Sequence, residues 1–234
     1  FLTGEGKDKA IVQLAFATTG LPDDRQNLVI AEAVQRVKGF DIGSQPDKLA
    51  ALNRVLESSK GTLQYLTLVD RFGLDDRFPE ILAAVESAPD SPFAVEAVKL
   101  MLTRERRKDL LAAMRGAEIE KAVAATRALS NTLDNRGSGL LEQIAVDAER
   151  PLSVRQEAVK GLGKSKPGAR RLLSLAQENK LAPELKPAAA YALHSSGVGE
   201  LKAEIDALFP LPPCRKAQPL PPLPELVKRQ GSVE

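Results

Sequence analysis

From Asp8 to Leu208 the apolar residues return at intervals of three and four, and no stretch sustains the strict alternation of a half-buried strand. The clearest helix is predicted to open at Pro151, a residue suited to the first helical position because its missing N–H would be unpaired there anyway. Val154, Ala158 and Leu162 then fall on one face. Gly161 and Gly163 are expected to end that helix in the left-handed cap conformation. A partner follows with Ala169, Leu172, Leu173 and Ala176 as its apolar stripe. Pro183 opens the next helix, which carries Leu185, Ala188, Ala189, Ala192 and Leu193 and closes at Ser195, Ser196 and Gly197. Its own partner carries Leu201, Ile205 and Leu208.

Pro151 and Pro183 thus start equivalent helix pairs about 32 residues apart, the kind of period that marks a repeat architecture. Ala125 and Leu129 precede Ala158 and Leu162 by a similar interval, and the segment from Val95 to Lys99 echoes that from Gln156 to Lys160. The runs from Ile11 to Ala17, Leu28 to Val37, Leu49 to Leu56, Leu63 to Val69 and Ile81 to Val85 are further helical candidates. One helix pair cannot shelter its own apolar face, so neighbours must stack, and small alanines at buried positions let them approach closely. The expectation is an all-α chain, an α-solenoid of about six helix pairs over residues 1–208.

Composition agrees with this. Aromatic residues make up 4% of the chain and Trp is absent, which suits helices packed through Ala and Leu better than a sandwich or barrel. Lysine and arginine number 33 against 31 acidic residues, a net charge of +2 that predicts neither nucleic acid nor an anionic membrane as partner. No apolar run approaches the roughly 18–20 residues that span a bilayer, so no membrane segment is expected. Cys214 is the only cysteine, which excludes an intramolecular disulfide. After Phe209 seven prolines, from Pro210 to Pro224, remove backbone donors and predict an extended linker over residues 209–234. At about 3.1 Å per residue its proline-dense part reaches on the order of 45 Å. Leu223, Leu226 and Val227 suit a short helix opening a further unit. A start at Phe1 and the lack of a terminal signal around Glu225 to Glu234 read as a piece of a longer polypeptide.

Two stretches carry a family resemblance. Pro151 to Gly163 (PLSVRQEAVKGLG) resembles the first helix of a short bacterial HEAT-like repeat with the pattern VRxxAxxxLG, and Val12 to Gly20 (VQLAFATTG) looks like a diverged copy. The run from Leu181 to Phe209, followed by KAQPLPPLPELVKRQGSVE (Lys216 to Glu234), is similar to a region of the large multidomain PVC-type haem-binding proteins of bacteria, described as membrane-bound dehydrogenase-like. In that family a HEAT-repeat region and a Pro-Leu-Pro-Pro linker precede a c-type cytochrome domain carrying CxxCH. The resemblance implies a periplasmic or other extracytoplasmic redox protein as the parent, with haem c bound beyond Glu234. No CxxCH occurs in this chain, and Cys214 and His194 stand in the wrong order for covalent haem, so no cofactor is expected on these residues.

Candidate chemistry is sparse. His194, the only histidine, sits near a helix C-terminus and reads as a cap or surface residue; Cys214, beside Arg215 and Lys216, reads as an inert thiol. Asp23-Asp24 and Asp75-Asp76 suit a helix start and a turn better than a cation loop, which needs more oxygens in ordered spacing. The basic residues Arg104, Arg107, Lys164, Lys166, Arg170 and Arg171 form the candidate interaction patch, diluted by Glu105, Asp109 and Glu157. The leading expectation is a non-catalytic scaffold that holds neighbouring domains of the parent, or a protein partner, in fixed geometry. The alternatives are a HEAT-like nucleic-acid-binding or DNA-repair protein, and a lyase-type enzyme for which no residue nominates a pocket.

Overall fold

The computed structural model describes residues 5–17, 20–36 and 46–211, and no strand occurs among them. The all-α class read from the periodicity is therefore the class of the fold. The described residues form α1 (Glu5–Ala17), α2 (Asp23–Arg36), α3 (Pro46–Ser59), α4 (Leu63–Phe72), α5 (Phe78–Ser87), α6 (Pro92–Thr103) and α7 (Arg107–Met114). They continue through α8 (Ile119–Asn131), α9 (Ser138–Val146), α10 (Leu152–Gly163), α11 (Lys166–Gln177), α12 (Lys186–Ser195) and α13 (Lys202–Leu208). Val37, the last residue of the run predicted from Leu28, lies outside the described residues, as do Cys214 and the proline-rich linker beyond Leu211.

Packing is local along the chain. Helices α4, α6, α8, α10 and α12 touch in succession, as do α7, α9, α11 and α13, and each member of the second layer packs against flanking members of the first. This is a repeat-like arrangement in which no helix needs a distant partner. The starts are Thr62, Ser91 and Ser165 caps where the sequence supplies them: their hydroxyls accept the N–H of Tyr65 at 3.3 Å, Ala94 at 3.1 Å and Gly168 at 3.2 Å. One turn also recurs after three of the helices. Gly73 after α4, Glu105 after α6 and Asn179 after α11 all have φ between 54° and 60°, and the next amides, of Leu74, Arg106 and Lys180, donate to the carbonyls of Val69, Met101 and Leu175 five residues back. That is a Schellman closure, made once each with glycine, glutamate and asparagine.

One apolar cluster runs from Ile30 to Phe209, with Leu52, Leu68, Ile81, Met101, Ile144, Leu162 and Leu172 buried in it. Helix α9, whose Leu140, Leu141, Ile144 and Ala145 are buried, fills the interval between Leu129 and Pro151, for which the sequence reading named no individual helix.

Two sequence expectations change here. Gly161 and Gly163 do not cap α10; the helix runs through both, and Lys164 follows in the right-handed region. Their value is closeness. A Cβ on Gly161 would lie 2.1 Å from Ser130 Oγ and 2.9 Å from Ser130 Cβ of α8, and one on Gly163 would lie 2.6 Å from Ala192 Cβ of α12. Ser130 can face this seam because its hydroxyl donates to the Thr126 carbonyl at 2.9 Å, leaving no polar group orphaned. Pro151 is the residue before α10, and Pro183 opens a single 3₁₀ turn, Pro183–Leu185, that leads into α12.

At α4 and α5, Tyr65 is 1% exposed and its hydroxyl donates to Glu80 Oε2 at 3.3 Å, while Lys60 holds the other Glu80 oxygen at 2.9 Å. Burial, then the Glu80 carboxylate, pushes the phenol up to about 12.

Gly161→Ala should cost about 2 kcal/mol of stability in urea denaturation through forced separation of α8 and α10. Gly139→Ala, inside α9 with nothing within 4 Å of the new methyl, should instead raise stability by about 0.5–1 kcal/mol. Equal effects would show that the α8–α10 seam is not closed through Gly161. For Tyr65 the folded phenol is the better proton binder, so its contribution is complete below the unfolded value of 10.0 and is lost as pH rises through about 12. In a Tyr191→Phe background, phenolate absorbance should appear near pH 12 in the folded chain; appearance near pH 10 would contradict the burial of Tyr65.

Candidate interaction surface

The candidate basic residues lie in different helix pairs. Arg104 and Arg107 flank the α6–α7 turn, and Lys164, Lys166, Arg170 and Arg171 lie at the α10–α11 turn and along α11. Most are engaged one pair away. Arg104 follows the last turn of α6 and reaches back to α4, where its Nε lies 2.7 Å from Asp70 Oδ1 and its Nη2 donates to the Asp70 carbonyl. Lys164, at the end of α10, donates to Asn131 Oδ1 on α8 at 2.7 Å. Lys166 and Arg170 converge on Glu200, at 2.6 and 3.6 Å, and Arg171 pairs with Glu142 of α9. Arg107 makes no hydrogen bond or ion pair among the described residues and is exposed.

The pattern extends to residues that composition alone did not single out. Arg136, after α8, donates to Thr103 Oγ1 at the end of α6 at 3.3 Å and pairs with Asp134 at 2.6 Å. That hydrogen bond holds the Asp134 carboxyl below the usual carboxylate range. Arg104 to α4, Arg136 to α6 and Lys164 to α8 are therefore equivalent rungs, each a cation at the end of one helix reaching the end of the preceding helix in the same layer. A helix C-terminus carries partial negative charge, so a cation is favoured at this place. Arg155 makes a deeper link: only 7% exposed, it donates to the Ala145 carbonyl at 3.3 Å and to Glu184 at 3.1 Å. The signal for these contacts lies in the sequence as opposite charges, or a cation and a hydrogen-bonding side chain, separated by one repeat. It is unreadable without knowing the repeat length.

His194 does not cap its own helix; its Nε2 lies 2.8 Å from the Phe209 carbonyl, tying α12 to the end of α13. Asp23 and Asp24 occupy the first turn of α2, and Asp75 and Asp76 form the single 3₁₀ turn Asp75–Arg77 before α5. Among the described residues no group of three or more His, Cys, Asp or Glu side chains is arranged to hold a metal ion, and no helix is long and apolar enough to cross a membrane.

Between the packed helices lie open grooves. One of about 500 Å³ runs between α4 and α6, with Leu63, Leu66 and Leu100 on its floor and Asp70, Glu96 and Lys99 on its sides. Another of about 430 Å³ lies between α5 and α7, with Asp75 and Asp76 of the preceding turn also lining it. A third of about 580 Å³, between α1 and α2, is apolar, with Leu14 70% and Leu28 63% exposed. No family model, no curated protein and no solved structure matches the chain.

The rungs are exposed pairs, so each is expected to contribute at most about 1 kcal/mol. A double-mutant cycle on Arg104→Ala and Asp70→Ala should give a coupling energy in that range from urea denaturation. A coupling near zero would show that this rung does not link the pairs.

Proposed function

We propose that the chain is a non-catalytic protein-interaction module: an α-solenoid of HEAT-like helix pairs that holds a partner, or neighbouring domains of its parent, in fixed relative position. The observation that supports this best is the way charged side chains are spent. Arg104, Lys164, Lys166, Arg170 and Arg171 join one helix pair to the next. The surface left for partners is a series of grooves between helices, and such shallow, repeated clefts suit extended or helical polypeptide segments. A duplex binder would keep its cations free for phosphate.

The parent, in this proposal, is an extracytoplasmic haem-binding redox protein whose haem c lies beyond Glu234. Its support is the resemblance of Leu181 to Phe209 and of Lys216 to Glu234 to the PVC-type proteins, together with the recurring helix pairs. This chain's part there is spacing and docking, and the electron-carrying chemistry belongs to the following domain.

Titration of the purified chain with haemin should give no stoichiometric Soret change, and a gel shift with duplex DNA at low salt should show no complex. A tight one-to-one haem complex would overturn the module reading. So would DNA binding that disappears when Arg104, Arg107, Arg170 and Arg171 are changed to glutamate.

A further inference from the structure

The groove between α5 and α7 differs from the other two in charge. Four carboxylates line it, Asp75, Asp76, Glu86 and Asp109, against a single cation, Arg106. Its floor is apolar, made by Phe78, Pro79, Leu82 and the alanines Ala112 and Ala113 of α7. The chain as a whole is +2, so this strongly acidic cleft is a local departure and not a reflection of overall composition.

Arg106 shows what the cleft accepts. Its guanidinium lies 4.9 Å from the centre of the Phe78 ring and reaches Asp75 Oδ2 at 2.9 Å and Asp109 Oδ2 at 3.5 Å. One arginine of the chain thus already sits on the aromatic floor between two carboxylates, the arrangement a desolvated guanidinium favours. The remaining carboxylates are less well served. Asp76 has only Arg77, at 3.6 Å, and Glu86 makes no hydrogen bond or ion pair among the described residues. Burial raises the Glu86 carboxyl above its ordinary value, and Lys121 nearby only partly opposes this. Lys121 is itself held by Glu118 at 2.8 Å. A carboxylate kept half-buried without a direct cation gains most from one that arrives from outside.

We propose that the α5–α7 groove binds a basic polypeptide segment of a partner protein, one in which arginine or lysine flanks an apolar side chain. The apolar residue lies on Pro79, Leu82 and Ala113, and the flanking cations pair with Asp76 and Glu86. This rests on the interaction-module reading and gives that module the chemistry of one partner. A segment with only charge would leave the floor wet, and one with only apolar residues would leave the carboxylates partly desolvated and unpaired.

The test is fluorescence anisotropy on the full chain, with a labelled synthetic peptide whose arginines flank a central leucine. The peptide should bind, and counterparts with glutamate for arginine, or glycine for leucine, should bind at least about ten-fold more weakly. Asp76→Asn with Glu86→Gln, both at the groove rim, should weaken binding by roughly ten-fold. Arg106→Gln releases Asp75 and Asp109 and should strengthen it several-fold, a gain that general damage to the fold cannot produce. Equal affinity for the arginine and glutamate peptides, spermine competing as well as the peptide does, or indifference to the Asp76/Glu86 double variant would each overturn the proposal. The module reading fails by a separate route, a stoichiometric Soret change or a DNA complex, whatever the peptide does.

Discussion

The closeness with which α8, α10 and α12 approach one another governs the rest of this structure. Ser130 of α8 faces Gly161 of α10, and Gly163 of α10 faces Ala192 of α12, at separations that leave no room for even a methyl group at either glycine. Dispersion falls off steeply with distance, so a seam closed this tightly holds helices that have few large side chains to offer. The buried hydroxyls of Thr126 and Ser130 are compatible with that closeness because each donates to the carbonyl one turn back. The void left beside Gly161 is only about 10 Å³. The main contacts are made between helices near in sequence, and one apolar cluster takes in buried residues from Ile30 to Phe209.

Much of this was legible in the sequence. The three-and-four spacing of apolar residues marked helices at α10 to α13, and the glycines of α10 were conspicuous, although they pack helices and do not end them. A glycine at a close approach and one at a cap look identical in sequence; only the neighbour across the seam distinguishes them. Helix α9 was not singled out, although its buried Leu140, Leu141, Ile144 and Ala145 do follow the three-and-four spacing. The basic residues were recognisable as a feature, but their engagement was hidden. Arg104 and Asp70 are 34 positions apart, and nothing local in either segment announces the other.

The surface that remains after these pairings has two characters. Where cations meet acceptors across the pairs, whether the Asp70 carboxylate or the side chains of Thr103 and Asn131, they are engaged within the chain and serve register. Where the α5–α7 groove opens, carboxylates outnumber cations above an apolar floor, and Glu86 stays half-buried at an electrostatic cost.

The rungs at the helix ends also bear on how a chain like this changes length. Arg104, Arg136 and Lys164 each reach back by one pair to the end of the preceding helix in the same layer. Duplicating or removing a complete pair during gene recombination would leave every cation facing another helix end. Gain or loss of a single helix would turn those cations toward the wrong layer. The rungs accordingly tie the helices into register by whole pairs and not one at a time.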